Sequence, residues 1–240
     1  VDNNPDGSHG QAAKNFIDGW VPNGRYIPYS ETVGAANSKN IVFDEASGEY
    51  VICIDCHILL EPGALLKFIQ FMDAEGRDNL YQGPMLLDNL SSCITHMEPV
   101  WRGEMHGIWA EAIPSDRLPL IPVEIPQHGG GLLACRKDSW LGFNPDFAGF
   151  GGEEGYIHQK YRQLGRTTFC LPFLKWMHRF SRPAGVSYPL NRYNKIRNYV
   201  IGRLELDCDY DDVLEHFREM TPEAELNKAV FDAESLFNLH

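Results

Sequence analysis

The sequence predicts an α/β fold of Rossmann-like type, with a mixed, mainly parallel central sheet and a C-terminal helical extension. Three features carry this expectation. Tyr50–Asp55 is an almost unbroken apolar run, as a central parallel strand covered on both faces should be. It is flanked by segments of helical period, Thr32 to Ala46 before it and Pro62 to Met72 after it. It also stops at Asp55-Cys56-His57, and ligands in open α/β sheets gather just past the carboxyl ends of the strands.

A chain of 240 residues can bury a large core, and one domain with appendages is the expected organisation. Hydrophobic content of 43% with 22% charged residues describes an ordinary globular protein. The net charge of -12 argues against a non-specific nucleic-acid binder and against a polybasic membrane surface. Phosphate ligands stay open, because a metal ion or a helix N-terminus reverses the local field. No apolar run approaches the ~20 residues needed to span a bilayer, and no signal peptide opens the chain. The six cysteines (Cys53, Cys56, Cys93, Cys135, Cys170 and Cys208) are dispersed, three of them inside apolar runs. Free buried thiols and a reducing, cytoplasmic compartment are expected.

Taken in order, Val1-Asp2-Asn3-Asn4-Pro5 reads as a strand end running into a polar loop. A doubly wound domain places a strand and a helix ahead of such a point, so an N-terminal truncation is expected. Gln11–Asp18 fits a short helix and Tyr26–Tyr29 a short extended segment. Val33, Ala36, Asn40 and Phe43 recur at helical steps, and Gly48 offers a left-handed cap. Pro62 suits a first helical turn, with Leu65, Phe68, Ile69 and Met72 as the core-facing stripe. Tyr81–Leu87 is expected as one strand. Asp88–Gln127 is rich in prolines and breaks, which predicts a lid or a disordered loop.

Gly129-Gly130-Gly131 then leads into a strand ending near Arg136. A helix should start near Gly151-Gly152-Glu153-Glu154, with Ile157, Tyr161 and Leu164 on one face and Gly165 as its stop. Thr167–Leu171 is a further strand, followed by Lys175–Phe180. Beyond Pro183 the pattern is helical, with Asp209 and Thr221 as N-caps.

Several of these residues could carry chemistry, and each has a plainer explanation. Asp55 and His57 can both be metal ligands, one hard and one borderline, but the pair alone is common at strand ends. His178 follows a second strand expected to end on the same rim, and is either a third ligand or a core histidine. Cys53 and Cys56 form a C-x-x-C, but Cys53 lies mid-strand rather than at a helix start, which excludes the redox use. Glu153 and Glu154 are either first-turn carboxylates favoured by the helix dipole, or groups that bind a hydroxyl or act as a base. Gly129–Gly131 either lets a ligand approach the backbone or simply turns into a strand; without a P-loop lysine it is not a nucleotide-hydrolysis loop. His106, His128, Trp101 and Trp109 could line a ligand or could anchor loops.

Together the ordered set resembles the GT-A glycosyltransferases. The carriers are Asn40 through Ala46-Ser47-Gly48-Glu49 to Ile54-Asp55-Cys56-His57, then Arg102-Gly103 with Trp109, Ile125-Pro126, Gly129–Ala134, Phe150-Gly151-Gly152-Glu153 and His178-Arg179-Phe180. The Asp-x-His version is similar to the polypeptide N-acetylgalactosaminyltransferases. The resemblance covers residues 1–182, implying a GT-A catalytic domain there and a helical extension over 183–240 packed on it.

The resemblance implies that Asp55, His57 and His178 bind Mn2+ or Mg2+, which holds the diphosphate of a nucleotide sugar such as a UDP-sugar. It implies that Asp2 contacts the nucleoside and that Gly130 and Gly131 border the donor sugar. Glu153, with Glu154 beside it, would contact the sugar or the acceptor, and Arg102–Trp109 would be a mobile loop closing over the donor. The implied reaction moves a hexose or N-acetylhexosamine to the hydroxyl of a glycan, protein or small molecule, with retention. The rival expectations are an inverting enzyme with Glu153 or Glu154 as base, and a non-catalytic sugar-binding remnant. No carbohydrate-binding trefoil follows, and the cysteines of the secretory enzymes are not reproduced as a set.

Overall fold

A computed structural model describes residues 1–31, 34–181, 185–186 and 190–239. The expected stripe residue Val33 and the expected domain boundary at Arg182/Pro183 lie outside the described residues. Helix α1 (Gly10–Trp20) and helix α2 (Ala35–Glu45) precede strand β1 (Tyr50–Ile54) and strand β2 (Ile58–Leu60). Helix α3 (Ala64–Glu75) leads to β3 (Leu80–Gln82) and β4 (Met85–Leu86). Short strands β5 (Ser92–Ile94), β6 (Met97–Arg102), β7 (Met105–Trp109), β8 (Ile113–Pro114) and β9 (Val123–Glu124) fill the segment expected to be irregular. Strand β10 (Leu132–Arg136), helix α4 (Glu153–Gln163), β11 (Thr168–Cys170) and β12 (Trp176–His178) follow. Helices α5 (Arg192–Glu205), α6 (Asp211–Arg218) and α7 (Glu223–Phe237) complete the chain.

Two five-stranded sheets result, in the orders β1-β10-β3-β11-β9 and β2-β12-β4-β5-β8. The sheets are mixed, as expected, but their balance is mainly antiparallel: only β3 with β11 and β4 with β12 run parallel. The excursion from β4 to Gly131 returns the chain at the rim where β1 ends, so β10 runs back along β1 with Ile54 opposite Leu132. Strand β1 is therefore an edge among the described residues. Its burial alternates, with Val51 and Cys53 buried and Ile54 exposed. Its apolar run reflects cover on both faces, as expected, although the strand is an antiparallel edge rather than a central parallel one: Val51 and Cys53 enter one core cluster while Tyr50 and Ile52 pack against the other.

Other local expectations shift for identifiable reasons. Helix α2 ends at Ala46 in extended backbone without a left-handed Gly48, because the Lys137 ammonium donates to the carbonyls of Asp44 and Ala46. On α3 the buried stripe is Ala64, Phe68 and Met72, while Leu65 and Ile69 are exposed. Each fully buried large side chain there is worth ~1.5–3 kcal/mol, so phase matters more than composition. Tyr81–Leu87 splits at Gly83-Pro84 and supplies a strand to each sheet. On α4, Ile157 and Tyr161 are buried but Leu164 is exposed. The Asp209 carboxylate accepts from the Asp211 N–H at the start of α6, whereas the buried Thr221 hydroxyl has no hydrogen-bond partner among the described residues. Cysteines are free, and Cys53, Cys93, Cys135 and Cys170 are buried.

The C-terminal helices share the main core. Ile196, Val200 and Ile201 of α5 sit in one cluster with Phe43 of α2, Leu133 of β10 and Ile157 of α4. The helices cover that face of the first sheet rather than standing apart from it.

Candidate functional site: a rim between two sheets

The site lies where the chain crosses from the first sheet to the second. Strand β1 ends at Ile54. The Asp55 N–H bonds to the Gly131 carbonyl at 3.0 Å, and a tight turn, closed by Ile58 N–H to the Asp55 carbonyl at 3.1 Å, starts β2. Strand β12 pairs antiparallel with β2 so that His178 lies opposite Ile58, and Arg179 N–H bonds to the His57 carbonyl. The spacing Asp-x-His is thus the spacing of a crossing turn. Two residues with one between them face the same side of the rim, and a neighbouring strand end delivers the third.

These three residues come together. The Nε2 atoms of His57 and His178 are 2.9 Å apart, and Asp55 Oδ2 lies 3.7 Å from His57 Nε2. One ligand atom from each of Asp55, His57 and His178 falls within 4.8 Å of the others, and all three residues are half-buried. Two imidazole nitrogens and a carboxylate oxygen at such separations suit a single divalent cation of the Mn2+ or Zn2+ kind. The residues present therefore fit the group that the sequence implied.

The main addition to the sequence reading is Lys39. From α2, its ammonium donates to Asp55 Oδ1 at 2.6 Å and to the Gly130 carbonyl at 2.9 Å. Only 12% of its side chain is exposed. Burial pulls its pKa down, but the nearby Cys53, Asp55 and Glu154 outweigh that and push it up to about 12. Lys39 lies three residues after buried Ala36 and four before buried Phe43, on the core-facing side of α2.

On the other side of Gly130 stands the carboxylate pair. Glu154 Oε1 is 3.5 Å from the Gly130 N–H, whereas Glu153 is buried, with Oε2 accepting from the Gly151 N–H at 2.7 Å and Oε1 unpartnered among the described residues. Burial raises the pKa of both, and Glu154 close by adds to the rise at Glu153. Glu154 is thus the member that faces the rim.

The glycines serve packing as much as any ligand. Gly151 and Gly152 have φ of +111° and +97°, and a Cβ on Gly151 would lie 2.8 Å from Lys195 Cγ of α5. Asn198 of the same helix, fully buried, clamps this loop through Ala148 and the Gly151 carbonyl. A Cβ on Gly131 would meet the Trp176 ring at 3.2 Å and His178 Cδ2 at 3.3 Å, so that glycine makes room for a ligand side chain. Gly130 alone faces ordinary space, with Glu154 and Lys39 at its sides.

The remaining candidates separate. Arg102 and Trp109 belong to the β6–β7 hairpin rather than to an irregular loop. Its tip is pinned by Glu104, which pairs with Arg192 and Lys195 at 2.7 Å each, and by His216 bonding to the Gly103 carbonyl. Trp101 stacks on His216 beneath it. Arg102 is exposed, while Trp109 packs edge-on to His128 and against Gly129. The mobile loop expected here is instead a braced ribbon, because α5 and α6 supply the partners that a loop would lack. His128 is fully buried and held neutral, its pKa lowered to about 3 by burial despite two carbonyls within 3.2 Å, and is a core residue. Asp2 bridges Ile27 and Tyr29 through its backbone, and its carboxylate accepts from the Tyr26 hydroxyl at 2.7 Å and the Asn4 N–H at 2.9 Å.

Comparison with known proteins agrees with this architecture. Residues 1–97 match the family model described as glycosyl transferase family 2. No curated protein matches the chain. Among solved structures, the chain is similar to GalNAc-T7 with UDP, GalNAc and Mn2+, at 17% identity and a TM-score of 0.65 over 95% of this chain. It spans about half, 46%, of that chain. A mannosyltransferase, PcManGT from Pyrobaculum calidifontis in complex with GDP-Man and Mn2+, is similar at 14% identity and a TM-score of 0.49 over 97% of this chain and 67% of that one. The chain has the GT-A glycosyltransferase fold.

Proposed function

We propose that this chain, built on the GT-A fold, is a metal-dependent glycosyltransferase that moves a hexose or N-acetylhexosamine from a nucleotide-diphosphate sugar to an acceptor hydroxyl. The observation that carries it is the convergence of Asp55, His57 and His178 on one rim. That rim lies at the end of a strand, beside a backbone cradle at Gly130 and a carboxylate pair. Asp55, His57 and His178 hold the cation; when bound, it neutralises the diphosphate as the sugar departs. Gly130 and Gly131 border the donor sugar, and the nucleoside reaches towards Asp2. The UDP of GalNAc-T7 and its Mn2+ support a UDP-sugar as the first donor to try.

The preferred course is retention. The acceptor oxygen bonds to the anomeric carbon on the face that the phosphate leaves, the carbon–oxygen bond to phosphate breaks, and the departing phosphate oxygen takes the hydroxyl proton. No enzymic base is then needed. Glu154, on the rim, then accepts a hydrogen bond from a sugar or acceptor hydroxyl, while buried Glu153 orders the Gly151 turn. The position of Glu154 also favours a second reading, inversion with Glu154 as the base. Proton NMR of the product anomer decides between them, and an inverted product assigns Glu154 that role.

The direct test is Mn2+-dependent turnover of UDP- and GDP-sugars, measured as transfer or hydrolysis. Activity lost in EDTA and restored by Mn2+ is expected. Absence of turnover with every donor would leave the chain as a non-catalytic nucleotide-sugar binder.

A further inference from the structure

Lys39 is a cation already seated on a proposed metal ligand. Its ammonium lies 2.6 Å from Asp55 Oδ1, leaving Oδ2 turned towards His57, and the same ammonium holds the Gly130 carbonyl at 2.9 Å. One side chain therefore joins the carboxylate of the metal set to the backbone that borders the donor sugar. It does so from a different element, α2, with little exposure. The helix that carries it is fixed beside the site. Asn37 donates to the Pro145 and Phe147 carbonyls, and Asn40 donates to the Phe143 carbonyl while accepting from the Phe143 N–H and from Trp140 Nε1. These contacts leave Lys39 little freedom to swing away.

We propose that Lys39 is a positioning residue with two opposed effects: it presets Asp55 and Gly130 for the donor, and it offsets the charge of Asp55 so that a bare divalent cation binds weakly. This rests on the function proposed above. The physical reason is charge counting. Asp55 is the only carboxylate of the three-residue set, and the ammonium beside it offsets that charge, while imidazoles ligate a cation only as neutral rings. A divalent cation alone then gains little from the site and is repelled by Lys39. A cation arriving with a diphosphate brings its own anion, and the penalty disappears. Lys39 thus ties metal loading to the presence of donor.

The opposed signs separate this role from a merely structural one. The experiment compares wild type with Lys39→Met and Lys39→Gln, the second of which keeps a donor for the Gly130 carbonyl. Binding of Mn2+ alone is followed by the loss of free-ion EPR signal, then repeated with UDP present, and turnover is measured separately. The neutral variants should bind bare Mn2+ about tenfold more tightly than wild type. The gain in Mn2+ affinity on adding UDP should shrink, and turnover should fall, more in Lys39→Met than in Lys39→Gln. Thermal melting identifies a variant that fails to fold, in which case the other neutral variant carries the test.

Bare-ion affinity that is unchanged or weaker in a folded neutral variant, while wild type binds Mn2+ with UDP, overturns the role of Lys39 and leaves the proposed function intact. Absence of Mn2+ binding in wild type and variants alike, with or without UDP, sinks the metal site itself and this inference with it.

Discussion

The two ends of the proposed donor site are built in different ways. At the proposed metal end, ligand atoms of Asp55, His57 and His178 lie within 4.8 Å of one another, an arrangement that a cation would complete. At the proposed nucleoside end, the Asp2 carboxylate is already engaged by Tyr26 and Asn4, and its strand contact is a single bridge with Pro28. Asp55 divides its carboxylate between Lys39 and the side facing His57, whereas both Asp2 oxygens are engaged within its own loop. Affinity for a nucleotide sugar should therefore concentrate at the diphosphate.

Mutation of the two ends tests that asymmetry directly. Removing a proposed metal ligand, His57→Ala or His178→Ala, should lower Mn2+ affinity in the presence of UDP, and turnover with it, by at least ~100-fold. Isothermal titration and a transfer assay read both, and unchanged affinity would show the site assignment to be wrong. Asp2→Asn should change donor KM by less than about tenfold, because hydrogen bonding to Tyr26 and Asn4 survives the change in part. Equal losses at the two ends would break the comparison.

The supporting loop should follow next in size. Gly151→Ala places a Cβ against Lys195 and forces an L-residue to φ +111°, at a cost of about 1–3 kcal/mol in stability. Denaturant unfolding measures it.

The floor beneath Gly129 gives a pH signature. His128 titrates at about 3 when folded, against about 6.5 when unfolded. The unfolded chain binds the extra proton first, so this contribution to stability is present above about pH 6.5 and is lost as pH falls towards 3. Melting temperature across that range, with the imidazole NMR signal of His128 remaining that of a neutral ring at pH 5, checks the sign. The smallest effect should come from Tyr26→Phe, which deletes one partly exposed hydrogen bond and should leave the melting temperature almost unchanged.

Much of the site was legible from residue order. Asp55, His57 and His178 could be named as candidates because metal chemistry restricts the side-chain types and strand ends collect ligands, and the resemblance to GT-A glycosyltransferases implied them as one set. The glycine-rich entry to β10 and the start of α4 were legible for a similar reason, since glycine and acidic first turns leave local marks. Lys39 was not: it shares the face of Ala36 and Phe43, but nothing in the sequence marks Asp55 or Gly130 as its partner. Nor was the bracing of the β6–β7 hairpin: Arg192, Lys195 and His216 lie far along the chain from Glu104 and Gly103. The face of α3 was misjudged for a related reason, since Leu65 and Ile69 fit a helical stripe as well as Ala64 does.

By itself, the sequence determined that helices flank the apolar strand before Asp55, that a helix starts at Gly151-Gly152-Glu153, and which three side chains are chemically able to share a cation. Local preferences and side-chain chemistry suffice for that. Only the tertiary structure decided that β10 runs antiparallel to β1, that α5 packs into the main core, and that an ammonium from α2 occupies the far side of Asp55. Those outcomes depend on pairings between residues distant in the chain, which leave no periodic or compositional trace in either partner.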